Sequence, residues 1–272
     1  MDQWSAGLLV KQYPPEAPKF RTPLVLLHGL WTGSWSWHTW ATHFSNLGWE
    51  CWAPNFRGRA GEDFYRTLKR LSFSDCVEDV NRLIRSCSLP PVVLGINIGA
   101  LVGLKLAEEA QVSALILASP VPPRHLNIPR APAHRRLRLK YFPLLLLRRP
   151  FRLEEKDLRT NFLASLPENL QTELVNATVP ESTRLIQEFF SPGVEIERSR
   201  LHCPIFVLSG NEDVLTPITT GEAIARWLGA EFRSYRRQGH WIIEHNGEVI
   251  VRDIHRWIVQ KLGDKILLAE FP

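Results

Sequence analysis

Gly95-Ile96-Asn97-Ile98-Gly99 is the stretch of this chain whose residue types and spacing bear most directly on chemistry. The run Pro91-Val92-Val93-Leu94 before it is apolar, and Ala100 to Glu109 after it reads as a helix, so the two glycines sit at a strand-to-helix turn. In that context the pattern G-x-S-x-G carries a serine nucleophile on a strained central residue, with small neighbours that let it stand exposed above a sheet. Here the centre is a carboxamide. It cannot be ionised into a nucleophile, but it offers both hydrogen-bond donors and an acceptor. The turn lacks the G-x-G-x-x-G spacing of a dinucleotide loop and the G-x-x-x-x-G-K-[ST] lysine of a phosphate loop, so no nucleotide or flavin is implied. Cys51, Cys76, Cys87 and Cys203 are scattered without metal-ligand spacing, which suits reduced structural thiols and implies no metal.

The elements that must position this turn alternate along the chain. Pro23-Leu24-Val25-Leu26-Leu27 is a buried strand ending at His28-Gly29, and Trp37 to Leu47 is a helix closed by Gly48. Glu50 to Ala53 is a short strand, and Ser74 to Cys87 a helix with Ser74 as its N-cap. Ala114–Ala118, Ile205–Leu208 and Glu231–Tyr235 read as further strands, with helices over Gly221–Leu228 and Val249–Leu262. This alternation predicts an α/β fold with a doubly wound, mostly parallel sheet and functional groups at the C-terminal strand ends. Between Ser119 and about Leu201 the alternation breaks into a proline cluster followed by helical pieces such as Glu154–Leu163 and Leu166–Val175. We expect residues 1–119 and 202–272 to form the core domain and residues 120–201 an inserted helical cap.

Four motifs in order then make the chain similar to the α/β-hydrolase superfamily over about residues 20–262. Leu27-His28-Gly29-Leu30-Trp31 resembles the turn that supplies one oxyanion-hole amide, here from Leu30. The turn at 95–99 follows, with Ile98 as the second amide donor. Ser209-Gly210-Asn211-Glu212-Asp213 resembles the strand end that bears the triad acid, Asp213, and Gln238-Gly239-His240-Trp241 the loop that bears the triad histidine, His240. Asn55-Phe56-Arg57-Gly58 looks like the family's D-x-R-G turn with Asn in place of Asp.

The departure is Asn97. In the family mechanism the histidine takes a proton from serine while the acid orients the imidazole and stabilises its cation. Loss of such a nucleophile costs roughly six orders of magnitude in turnover, on the order of 8 kcal/mol. An efficient acyl-enzyme esterase is therefore excluded for an unmodified Asn97. The resemblance leaves two readings. His240 and Asp213 act as a base on water or on the substrate, with Asn97 positioning a carbonyl or hydroxyl group, in water-mediated hydrolysis or a lyase or cyclase step. Alternatively the old pocket binds a ligand without turning it over. A third route needs Asp at position 97, from deamidation or an engineered exchange. Haloalkane dehalogenases and epoxide hydrolases use an aspartate there, but Ile98 replaces the usual halide-binding Trp and the cap offers Tyr141 alone where two tyrosines are usual.

Ten tryptophans are unevenly spread, and Trp31 and Trp241 adjoin two of the motifs, where either could wall an apolar pocket, with Tyr141 of the cap as a further expected substrate contact. Trp37 and Trp40 suit core packing. The ligand expected is a hydrophobic, carbonyl-containing small molecule. Charge is uneven too. Ala110 to Leu153 holds nine Lys/Arg and no Asp or Glu, within a chain of net charge +5. Its segment Arg135-Arg136-Leu137-Arg138-Leu139-Lys140-Tyr141-Phe142 leads into Pro143-Leu144-Leu145-Leu146-Leu147-Arg148-Arg149. Such a cap edge suits peripheral contact with an anionic membrane or a carrier-bound substrate, or else it is an amphipathic helix with solvated arginines. Nucleic acid is not expected, because the basic residues alternate with leucines and not with stacking aromatics. The N-terminus has no signal-peptide pattern and no apolar run approaches the roughly 20 residues of a membrane span. A cytoplasmic protein is the expectation.

Overall fold

The computed structural model describes residues 1–59, 64–191, 193–244 and 247–268. The chain opens with a hairpin that its apolar pattern does not flag, β1 (Asp2–Ser5) and β2 (Leu8–Tyr13). The two-residue turn Ala6-Gly7 has positive φ at both positions, 49° and 82°, the backbone twist a tight hairpin needs. Only Leu8 and Val10 of this pair are fully buried, so the apolar signal is two residues long.

β2 pairs antiparallel with β4 (Cys51–Pro54), and from there the sheet is parallel. Its centre is β3 (Leu24–Leu27), β5 (Val92–Ile96), β6 (Ala114–Ala118) and β7 (Ile205–Gly210), every residue of which is buried. Burial on both faces explains why these runs are continuously apolar instead of alternating. With β8 (Glu231–Tyr235) at the far edge, the order is β1-β2-β4-β3-β5-β6-β7-β8. The register sets Leu27 beside Gly95 and Ile96 beside Ala118, so the C-terminal ends of β3, β5 and β6 finish level with one another.

Helices cover both faces of this doubly wound sheet. A 3-10 turn at Ser34–Trp37 leads into α1 (His38–Asn46), which packs against the last helix of the chain. α2 (Phe64–Arg70) precedes α3 (Phe73–Ile84), and α3 lies against α4 (Ile98–Glu109). The N-cap of α3 is Ser72, two residues before the serine its sequence suggested. The Ser72 hydroxyl accepts from the Asp75 amide at 3.2 Å while Asp75 accepts from the Ser72 amide at 2.8 Å, a reciprocal capping box that Ser74 has no acid to complete.

After β6 the chain leaves the sheet at its C-terminal edge and builds four helices, α5 (Pro132–Leu146), α6 (Glu155–Asp157), α7 (Glu168–Ala177) and α8 (Thr183–Phe190). α6 runs on into a wider π turn, Leu158–Phe162. α5 packs on α8, and α8 rests on α3 and α4. The chain then returns through β7 to α9 (Ile218–Leu228), β8 and α10 (Gly247–Leu262).

Backbone packs closely on backbone where β5 turns into α4. A Cβ at Gly95 would overlap the Gly99 carbonyl, and one at Gly99 would overlap the Leu27 carbonyl on the neighbouring strand. Both collisions are with backbone, which cannot step aside. Gly99→Ala should therefore lower the unfolding free energy by about 3 kcal/mol, read as a shift of the urea midpoint at unchanged slope. A midpoint equal to wild type would contradict this packing.

Candidate functional site

Asn97 occupies the apex of that turn. Its φ of 55° and ψ of −119° are unusual for a residue with a side chain and store on the order of 1–3 kcal/mol of strain. The surrounding backbone holds it there: its amide donates to Ala118 O at 3.1 Å, and its own carbonyl accepts from Ala100 at 3.2 Å. The side-chain oxygen accepts from the amide of the next residue, Ile98, at 2.7 Å. The carboxamide nitrogen faces His240 Nε2 at 2.8 Å.

His240 reaches this point from the loop after β8. The Gly239 amide in that loop donates to Ser165 Oγ of the inserted segment at 2.9 Å. Gly210, the last residue of β7, passes so close to the Gln238 and Gly239 carbonyls that a side chain would overlap them. The acid and histidine loops are thereby held together. Asp213 Oδ2 meets His240 Nδ1 at 2.9 Å and takes the Thr216 hydroxyl at 2.7 Å. Its Oδ1 accepts the amides of Leu215 and Thr216, both at 2.9 Å. Burial alone would push the Asp213 carboxyl up. The adjacent imidazole and these hydrogen bonds outweigh that and hold it below the usual carboxylate range. An ionised carboxylate only accepts, so His240 carries its proton on Nδ1. Nε2 then presents a lone pair, and Asn97 Nδ2 donates to it.

Asn97, His240 and Asp213, assigned to the site from sequence, thus form one buried chain of hydrogen bonds. His240 is 2% exposed and Asn97 3%. Ile98 and Leu30 stand at the expected turns, but the Ile98 amide is not free, because the Asn97 oxygen occupies it. Trp31 lies close by, through intermediaries. Its ring meets Phe162 and Phe189 edge-on, and both phenyl rings in turn meet the His240 imidazole, Phe162 at 5.2 Å between centroids. Trp241 stacks on Trp35 at 6.1 Å, beside the histidine loop.

Tyr141 departs from its expected place as a pocket residue. Its hydroxyl donates to Asp157 at 2.6 Å and accepts from the Glu154 amide at 2.9 Å, while its ring stacks on Phe151. Both polar capacities are spent bracing the insertion internally, because α6 supplies a carboxylate that the sequence alone does not set beside it.

Sequence reasoning also missed Phe162, Phe189, Glu181 and Arg59. Glu181 and Arg59 form an ion pair buried beneath the insertion, and Glu181 also accepts the Trp31 amide at 3.1 Å. Arg59 donates to Thr32 O at 2.8 Å, Trp31 Nε1 to Phe151 O at 3.1 Å, and the Val179 amide to Trp31 O at 2.9 Å. The turn at residues 28–32 is therefore clamped between sheet and insertion. No local pattern could have revealed this, since the paired residues are 122 positions apart. Asn55 secures the segment that follows: its oxygen accepts the Ser34 amide at 2.8 Å and its nitrogen donates to Leu9 O at 3.2 Å.

His28 fastens the same turn from below. Its Nδ1 donates to Gly29 O at 2.8 Å and its Nε2 accepts the Phe56 amide at 3.1 Å, which requires a neutral ring. Burial, reinforced by the Arg59 charge, pushes its pKa down to about 3. The unfolded chain takes up a proton near pH 6.5 that the folded state refuses, so this ring's contribution is complete above that pH and declines as pH falls towards 3. Between about pH 7 and pH 5 the wild type should lose roughly 2 kcal/mol more than His28→Gln. Urea melts of both proteins at the two pH values measure the difference, and equal losses would contradict the assignment.

Comparisons with known proteins bear on the family and the fold. Residues 24–253 match the model of the alpha/beta hydrolase family. No curated protein matched the sequence. Among solved structures, a soluble variant of monoglyceride lipase from Saccharomyces cerevisiae, in complex with a substrate analog, superposes with a TM-score of 0.76 at 16% identity, covering 96% of this chain and 94% of that one. An esterase from Exiguobacterium antarcticum gives 0.73 at 18% identity, covering 92% and 95%. MenH from S. aureus gives 0.71 at 16%, covering 93% and 99%. At such identities the superpositions speak for the fold alone, while the family match spans most of the sequence. The chain belongs to the alpha/beta hydrolase family.

Proposed function

We propose that this protein is an enzyme of the family that works without a serine nucleophile, with His240, polarised by Asp213, as its general base and Asn97 as a positioning group. The observation that carries this reading is the direction of the His240 Nε2 lone pair, which faces Asn97 Nδ2 at 2.8 Å while Nδ1 is committed to Asp213. A neutral imidazole oriented by a buried carboxylate is the arrangement that accepts a proton from water or a substrate hydroxyl.

The substrate class follows from the surroundings. Phe162 and Phe189 pack against the imidazole, with Trp31 against both of them, and such apolar surroundings favour a hydrophobic small molecule. The Ile98 amide, now taken by the Asn97 oxygen, is a donor suited to a carbonyl oxygen. For substrate to bind there, the carboxamide swings off both His240 and Ile98, and the cap formed by residues 120–201 lifts from the site. In the hydrolytic version His240 takes a proton from water, the resulting hydroxide adds to the carbonyl carbon, and the leaving group departs with the proton from His240. In the lyase version His240 takes the proton of a β-hydroxyl group, the adjacent C–C bond breaks, and the proton returns to the carbon released. No acyl-enzyme forms in either case, and no cofactor is required.

One observation favours a second reading, a ligand-binding protein that does not turn its ligand over. The carboxamide occupies both the base's lone pair and an amide donor, so the resting site is already satisfied. A ligand recovered unchanged after prolonged incubation would support that alternative.

The test uses p-nitrophenyl esters with intact-mass detection. Wild type should show no covalent acyl adduct and no labelling by a fluorophosphonate probe. Asn97→Ser should acquire both, with ester turnover up by roughly a thousandfold or more, and Asn97→Ser/His240→Ala should lose them again. Any slow wild-type turnover should fall by about a hundredfold or more in His240→Ala. An undiminished rate there, or an adduct on wild-type residue 97, would overturn the proposal. The intact mass also detects an aspartate at position 97.

A further inference from the structure

α5 buries one face and leaves the opposite face bare. His134, Leu137, Tyr141 and Leu145 point inward. On the outer side Leu139 is 79% exposed, Phe142 52% and Leu146 72%, and Leu147 just past the helix end is 62% exposed. The spacing 139, 142, 146 is that of one helical stripe, so these side chains form a ridge. An apolar ridge on a solvent face costs hydration free energy unless something covers it.

Charge identifies the cover. α5 contains no acidic residue, and Arg135, Arg138, Arg148 and Arg149 are exposed around the ridge without a carboxylate partner among the described residues. Lys140 is the exception, being paired with Glu154 and Asp157. Arg130, half-buried nearby, has its pKa lowered by burial and by the Arg138 charge, which marks a crowding of cations that an anion would relieve.

The same charge continues past the helix. Arg148 lines a surface cleft of about 820 Å³ together with Arg66, Lys69, Arg70 and Arg184, against one carboxylate, Glu188. That carboxylate is engaged by the Gly193 amide at 2.6 Å. α2, which supplies three of these cations, begins with two further exposed aromatics, Phe64 and Tyr65. Apolar side chains ringed by arginines, next to a cationic cleft sized for headgroups, are the requirements for lying in a bilayer interface. A protein partner would need matching carboxylates and a fixed shape, while an anionic lipid surface supplies charge and an apolar layer at any register. Among the described residues no helix is long and apolar enough to cross a membrane, so the contact is a surface one.

We propose that α5 and the adjoining basic cleft dock this protein on an anionic phospholipid bilayer, with Leu139, Phe142, Leu146 and Leu147 entering the interface and the arginines meeting lipid phosphates and carboxylates. The proposal stands whether or not the site at His240 turns over a substrate.

Flotation with phosphatidylcholine vesicles, with and without phosphatidylserine, at low and high salt, tests it on the full chain. Partitioning should need phosphatidylserine and weaken as salt rises. Replacing Arg135, Arg138, Arg148 and Arg149 with Gln should lower the partition coefficient by roughly a hundredfold or more. Leu139→Ser/Phe142→Ser/Leu146→Ser should abolish binding with the arginines intact, and Val249→Ser, an exposed apolar change elsewhere, should leave it unaltered. Circular dichroism and thermal melts confirm that each variant is folded, as exposed positions allow. Equal partitioning to neutral and anionic vesicles, or binding indifferent to the ridge, would overturn the proposal. So would concentration-dependent dimerisation abolished by the ridge substitutions, since the ridge would then cover a second copy of the chain.

Discussion

A buried imidazole with both nitrogens engaged is the constraint on which this site depends. The Asp213 carboxylate can only accept, so it dictates the tautomer of His240. That tautomer obliges whatever faces Nε2 to donate. A serine hydroxyl donates there, and so does an asparagine NH2. In the proposed reading Asn97 keeps the hydrogen-bond pattern of a hydrolase centre while withholding the oxygen that attacks. Every polar atom of the three side chains has a hydrogen-bond partner, which lowers the cost of burying them. Under the proposed mechanism the same satisfaction keeps the site inert until the carboxamide moves.

The insertion is coupled to that centre through more than coverage. Glu181 accepts the Trp31 amide and pairs with Arg59, and Ser165 takes the Gly239 amide beside His240. Both turns that flank the imidazole are thus tied to residues of the insertion. Removing one member of a buried ion pair costs about 3–5 kcal/mol, because the remaining charge is stranded. Opening the insertion over the site must either carry these contacts along or break them, which links access to the histidine with the geometry of the His28–Trp31 turn.

Much of this was legible in the chain itself. The strands Ala114–Ala118 and Glu231–Tyr235 have the boundaries their residues imply. The first is buried throughout and declares itself by an unbroken apolar run, while the second is a partly exposed edge strand marked by the residues that punctuate its ends. Asn97 and Asp213 were readable because each sits in or beside a turn whose glycines are demanded by backbone contact, and His240 because it follows Gly239, where a side chain would collide with Ser165 Oγ. The N-terminal hairpin was not readable, because an edge pair buries too few side chains to leave a pattern. Tyr141 was misassigned because a tyrosine in an insertion looks the same whether its hydroxyl meets a ligand or Asp157. The Arg59–Glu181 pair and the two phenylalanines over His240 depend on segments distant in sequence, and only the folded chain brings them together.

The ¹⁵N NMR spectrum of the His240 imidazole near neutral pH reads out directly which ring nitrogen carries the proton. A protonated Nδ1 and an unprotonated, hydrogen-bonded Nε2 are expected, with the Nε2 resonance shifting in Asn97→Ala while Nδ1 stays with Asp213. A proton on Nε2, or an Nε2 resonance indifferent to residue 97, would contradict that assignment.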